Sequence, residues 1–246
     1  MNARENLHLA YVLHTRAFRD TSLIVEVFTP QYGRVSLLAR GAKSGKKKQS
    51  LMLQPFRSLH VSWAGRGELP VLSGVEEAGG FMRLQGLALA CGYYINELIY
   101  YLVPKQEPAV SLFAHYWPAL QAISDAAHRE SGLRQFELLL LEQIGYDPQL
   151  THDSGTGAPI QRGTSYRYLV PDGPVAVVGE NDTGGIVVSG DTLLDLDECV
   201  FNNPDSIREA RNLMRALIHY HLDGRELVSR SLFSGFNTAP SISDRN

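Results

Sequence analysis

GRVSLLARGAKSGKKK, residues 33–48, decides how the first third of the chain is read. It opens as a strand, with Val35, Leu37 and Leu38 supplying apolar side chains, and runs into a loop that holds Arg40, Lys43, Lys46, Lys47 and Lys48. Counting Arg34, the stretch carries six cations and no anion. Like charges repel one another and stay hydrated, so the run reads as a solvated loop, and a polyanion is the partner its charge fits.

Around this stretch the pattern is one of short strands. Leu9, Tyr11 and Leu13 alternate, and TSLIVEVF (21–28), RVSLLAR (34–40), FRSLHVSW (56–63) and LPVLSGV (69–75) are rich in β-branched, leucine and aromatic residues, with turn signals between them. Five short strands whose longest connection lies between the third and fourth fit a small barrel of the OB type, which removes its open edges and presents loops for binding. The basic stretch is its third strand and that long connection.

After Gly80 the period becomes helical. Residues 81–103 are apolar around much of the circumference and end before Pro104, and a second helix is expected over 109–127, kinked or interrupted at Pro118. A third runs from Ser131 to Gly145, and the three can share one core. Residues 147–190 read as a loop-rich insert with a few short strands. Two further helices follow, one opening at Pro204 and one over 225–233, before a frayed tail. The fold class is α+β: a five-stranded OB-fold barrel over 1–79, then a helical domain over 80–246 that contains the insert.

Charge follows the same division. Of the 246 residues, the first 66 hold eleven Lys and Arg against three Asp and Glu, and the remainder twelve against twenty-three, so a net charge of −3 conceals a basic N-terminal unit on an acidic body. That asymmetry suggests an anionic partner for the first unit. Cys91 and Cys199 are the two cysteines, too few for a disulfide framework or a four-cysteine zinc site. The first residues lack a signal-peptide core and no apolar run is long enough for a membrane span, which places the expected location in the cytoplasm.

The chemistry of catalysis is hard to find in the sequence. GAKSGKK (41–47) is one residue short of a phosphate-binding loop and has Lys47 where a magnesium-binding hydroxyl belongs. His219 and His221, two apart on a helix, point to different sides. Glu76 and Glu77 read as a solvated rim, and Asp20 and Glu26 form no obvious metal cluster. A binding protein is therefore expected rather than an enzyme. A metal-dependent nuclease and an RNA-binding regulatory barrel stand as alternatives. For nucleic acid the parts required are cations that meet phosphates and planar groups on which bases stack. The barrel offers Arg34, Arg40, Lys43, Lys46, Lys47, Lys48, Arg57 and Arg66, with Tyr32, Phe56 and Trp63 nearby. The last two aromatics are more readily core than platform. The third helix places Arg134, Leu138 and Leu141 along one side, a cation beside an apolar strip that an acidic peptide with an apolar end could use. Its residues alone favour an internal arginine paired with Glu137.

Taken in order, AYVLHTRAFRDTSLIVEVFT, GRVSLLARGAK, LQPF (53–56), GRGEL (65–69), YINELI (94–99), LRQFELLLLEQIGY (133–146), SYRY (165–168) and SRSLF (229–233) resemble RecO, the bacterial recombination-mediator family. The resemblance implies an OB-fold joined to a helical body, binding of single- and double-stranded DNA, annealing of complementary strands, and, with RecR, replacement of single-strand-binding protein by RecA. It makes the eight barrel cations DNA contacts. It makes Arg134, with Leu138 and Leu141, the contact for the acidic C-terminal tail of single-strand-binding protein. Many members carry a four-cysteine zinc site in the insert, whereas THDSGTGAPIQRG (151–163) keeps only His152 as a possible ligand, so no zinc and no other cofactor is expected.

Overall fold

The structure is a computed structural model that describes residues 7–43, 47–65, 67–177 and 184–237, with the side chains of 47–49 and 234–237 left aside. Strands β1 (His8–Phe18), β2 (Ser22–Thr29), β3 (Gly33–Ala39), β4 (Arg57–Ala64) and β5 (Val71–Phe81) close into a barrel in the order β1-β2-β3-β5-β4. Every neighbouring pair is antiparallel except β3 and β5, which meet in parallel at Leu38 and Val71, where the Leu38 amide donates to the Pro70 carbonyl at 2.9 Å. This is the OB-type closure. Alternation sends Ala10, Val12, Val25, Val27, Val35, Leu37, Leu59 and Val61 inward, and the barrel core is built from them.

The connection between β3 and β4 is not all loop. Lys47–Met52 forms a short helix, α1, and Ala42 and Leu53 on either side of it are buried in the barrel core with Met52 packed against them. Two lysines expected in a loop, Lys47 and Lys48, thus open a helix. Residue 81 ends β5 rather than beginning a helix, because the polar run EEAGG continues to pair with β4 as far as Arg57 opposite Phe81.

Helix α2 (Gly86–Leu102) and helix α3 (Val110–Ser124) form one compact unit with the barrel and with the C-terminal helix α7 (Arg230–Asn237), a unit spanning 1–124 and 227–246. Helices α2 and α3 belong to this unit because they cover the outer barrel face that carries Tyr11 and Phe28. Tyr11 lies 4.5 Å from Tyr116 and 4.9 Å from Phe113, ring centre to ring centre, and Phe28 lies 5.4 Å from Phe113. Helix α3 runs through Pro118 as one helix, so of the kink or interruption expected there the interruption does not occur.

Two family-like segments explain how this unit is tied. The β1–β2 register slips between Val12 and His14, a bulge at Leu13, and the Leu13 carbonyl accepts from Asn96 Nδ2 at 2.9 Å. Asn96 Oδ1 in turn accepts from the fully buried Tyr116 hydroxyl at 2.6 Å, which satisfies three buried polar groups at once. One residue on, the Glu97 carboxylate accepts from the amides of Val228 and Ser229 and from the Ser229 hydroxyl, the last at 2.5 Å. YINELI and SRSLF thus meet, far apart in sequence.

The second unit spans 125–226. It holds α4 (Arg129–Gln143), a three-stranded sheet of β6 (Ser165–Leu169), β7 (Gly173–Ala176) and β8 (Ile186–Ser189) in the order β7-β6-β8, α5 (Gly190–Glu198) and α6 (Pro204–His221). The third expected helix belongs here, its Leu141 sharing a core with Tyr166, Tyr168, Leu193, Leu213 and Leu217. Helix α5 was not expected. Its N-cap Ser189 accepts from the Thr192 amide, and Glu209 of α6 accepts from Ser189 and Thr192, so a short acidic helix is held by its neighbours. Tyr146, at the end of LRQFELLLLEQIGY, meets Tyr168 of SYRY, hydroxyl to hydroxyl at 3.3 Å.

The loop entering the insert is organised by a buried carboxylate. Asp153, 3% exposed, accepts from the amides of Gly155, Thr156 and Ala176 at 2.9, 2.8 and 2.7 Å. Burial pushes its carboxyl up, but these donors outweigh it and hold it below the usual carboxylate range. One side chain thereby joins the loop to β7.

Candidate nucleic-acid interface

The barrel register gathers a set of cations at one end. The β1–β2 hairpin turns at residues 19–21, Leu23 of β2 lies opposite both Ala17 of β1 and Ala39 of β3, and the Lys43 amide donates to the Thr21 carbonyl at 2.9 Å. Arg16, Arg19, Arg40 and Lys43 therefore converge on the hairpin end, and all four are exposed. None of them forms an ion pair among the described residues. Arg19 is held in the left-handed region at φ 54° with its guanidinium 5.3 Å from the Phe18 ring, and Asp20 is the one acid in the turn. From this end the chain passes into the basic connection and α1. Arg16 and Arg19 were missed in the sequence, because only the register puts them beside Arg40.

The other expected cations divide. Arg34 points to the helix-covered outer face, 3.6 Å from Glu26 Oε2, donates to the Val103 carbonyl at 3.4 Å, and lies over the Tyr100 ring at 4.6 Å. Glu26 is itself buried and accepts from Ser36 at 2.7 Å. Arg34 thus joins barrel to helix. Gly33 beside it adopts φ +52°, and a side chain there would collide with the Glu107 carbonyl, so the turn into β3 requires glycine. Arg57 pairs with Glu77 at 2.6 Å and covers the Phe81 ring at 4.8 Å. Lys46 and Arg66 lie outside the described residues, as do the side chains of Lys47 and Lys48.

Of the aromatics, Phe56 is core, 4% exposed. Trp63 is partly buried and forms a surface cluster with His8 and Tyr32, ring centres 4.7 to 5.4 Å apart, in which burial holds the His8 imidazole below its usual value.

In the second unit Arg134 is buried. Its Nη2 donates to Glu137 Oε1 at 3.1 Å and its Nε lies 3.7 Å from Glu130, which also receives Arg211 at 2.9 Å. The i, i+3 pair with Glu137 that the helix residues favour is present. Leu141 is fully buried and Leu138 packs against the same core.

No group of three or more His, Cys, Asp and Glu able to hold a metal occurs among the described residues, and no described helix is long and apolar enough to cross a membrane. Both cysteines are thiols outside any disulfide, and burial pushes the Cys199 thiol up to about 11.

Residues 5–81 match the family model described as recombination protein O N terminal, and residues 83–231 match recombination protein O C terminal. Among known proteins, the DNA repair protein RecO of Nitrosococcus oceani is 41% identical over 96% of this chain and 96% of its own length. Those of Methylococcus capsulatus and Dechloromonas aromatica are 43% and 44% identical, over 94% and 91% of this chain and 94% and 93% of theirs.

Proposed function

The chain belongs to the RecO family of DNA repair proteins, and on that premise we propose that it is a non-catalytic recombination mediator. It binds single- and double-stranded DNA, anneals complementary strands, and with RecR helps RecA replace single-strand-binding protein on coated DNA, at the nucleoid in the cytoplasm. The observation that carries this reading is the convergence of Arg16, Arg19, Arg40 and Lys43, exposed and without ion pairs among the described residues, at the end of an OB barrel from which the basic connection leaves. Annealing requires no bond to be made or broken by the protein. Cations that neutralise two repelling backbones without fixing the bases allow strands to search for register.

The acidic tail of single-strand-binding protein is assigned to Arg134 through the family. Because Arg134 faces Glu137 and Glu130, a tail carboxylate there competes with two resident acids instead of meeting a free cation. Arg134→Ala should weaken tail-peptide binding while leaving naked-DNA affinity unchanged. Equal loss of both would mean that the variant has lost its fold. The function itself is tested by annealing of complementary oligonucleotides with the purified protein, which should be accelerated without magnesium. Magnesium-dependent cleavage of the strands would decide for a nuclease.

A further inference from the structure

Between the Phe81 end of the β4–β5 ladder and the start of α2 lies a cleft of about 390 Å³, within the range of ligand pockets. Phe81, Met82, Leu89 and Tyr93 form its walls, and Arg83 is the charged residue lining it. Phe81 and Tyr93 are 38% and 39% exposed. Both are held in place from behind: Phe81 by the Arg57 guanidinium at 4.8 Å, Tyr93 by the edge of Phe56 at 5.3 Å. Gly92 lets α2 approach, since a Cβ there would come 2.5 Å from Leu84 and 2.9 Å from Phe56. Both partly exposed rings are therefore backed by packed neighbours.

The electrostatics of the cleft favour an anion. Arg83 is exposed and forms no ion pair among the described residues. The first turn of α2 contains no acid, and its N-cap Gln85, which lines the cleft, makes no side-chain cap bond, so no carboxylate of that turn opposes an anion beside Arg83. The chain leaving α1 forms another part of the wall at Gln54 and Pro55, so the basic connection ends where the cleft begins.

We propose that this cleft is a nucleotide-binding subsite for single-stranded DNA, in which an unstacked base lies against Phe81 and Tyr93 and its phosphate meets Arg83 at the mouth of α2. A planar base has a π-face for each ring, and stacking tolerates any sequence. The inference rests on the DNA-binding reading above and deepens it. The hairpin cations serve either form of DNA by charge, whereas the cleft admits only bases free of a duplex, so it selects single strands.

The test uses the full chain and a deoxythymidine homopolymer carrying iodouracil, with duplex of equal length as the comparison. Photocrosslinks should map to Phe81 or Tyr93. Phe81→Ala with Tyr93→Ala should lower single-strand affinity by at least about fivefold, the lower limit for one stacked base, and leave duplex affinity unchanged. Tyr93→Phe should bind as the parent does. Arg83→Glu, a surface change that spares the core, should weaken single-strand binding in the same direction. Crosslinks elsewhere with unaltered affinities would overturn the subsite, and equal loss of single strand and duplex would do the same. So would variants that keep single-strand binding but lose an acidic peptide with an apolar end. If Arg40→Ala with Lys43→Ala still weakens both DNA forms in those cases, the subsite fails and the DNA-binding reading stands. Failure of the parent protein to bind either form removes both.

Discussion

Arg40→Ala combined with Lys43→Ala separates charge that serves DNA from charge that serves the fold. Both side chains are exposed, and neither forms an ion pair among the described residues, so their removal should alter stability by no more than about 0.5 kcal/mol. Each cation that neutralises a phosphate contributes about 0.7 to the slope of log affinity against log salt for single strands and about 0.9 for duplex. Two lost contacts should therefore flatten the slope by about 1.4 and 1.8. Between 50 and 200 mM salt, taken as about a fourfold range, the advantage of the parent over the variant should shrink about sevenfold for single strands and about twelvefold for duplex. Fluorescence anisotropy across that range measures it. Arg34→Gln with Glu26→Gln is the control, because it neutralises the pair facing the helices without leaving a lone buried charge. Its slope should match that of the parent. A flattened slope in the control, or an unchanged one in the Arg40 and Lys43 variant, would refute this placement of the interface.

Further outcomes follow from the buried polar contacts. Asn96→Ala strands the Leu13 carbonyl and the Tyr116 hydroxyl, at about 1–3 kcal/mol for each unpaired group, so urea denaturation should show a loss of several kcal/mol. A change below about 0.5 kcal/mol would mean that the bulge is not held by Asn96. Asp153 should stabilise its loop fully above its unfolded pKa of about 3.9 and lose that contribution as pH falls through its lower folded value. Acid unfolding of Asp153→Asn should accordingly lack that low-pH component, as followed by proton-resolved titration of the insert.

The five strands were legible because they are rich in β-branched, leucine and aromatic residues and glycine or proline separates all but the first two. What escaped was structure imposed by neighbours. β5 reaches Phe81 through EEAGG because β4 pairs with it, α5 forms through Glu209 and Ser189 despite four acids in nine residues, and α3 tolerates Pro118 within a packed helix. The packing of α3 on the barrel depends on Tyr11 and Phe28 meeting Phe113 and Tyr116, which no linear pattern displays. Cations were equally visible as residues and equally opaque as roles. Arg34 and Glu26 sit eight apart on adjacent strands, so only the register reveals that they face each other, and the same register brings Arg16 and Arg19 to Arg40. Arg134 was the exception, since its partner Glu137 lies one helical turn away and can be read directly.

The central claim is that a charged hairpin end of an OB barrel mediates annealing on protected strands. It is tested most directly by the rate at which complementary oligonucleotides, both coated with single-strand-binding protein, form duplex in the presence of this protein. The parent should accelerate annealing, Arg40→Ala with Lys43→Ala should lose that acceleration, and Arg34→Gln with Glu26→Gln should retain it. Equal acceleration by the parent and the Arg40 and Lys43 variant, or none by the parent, would contradict it.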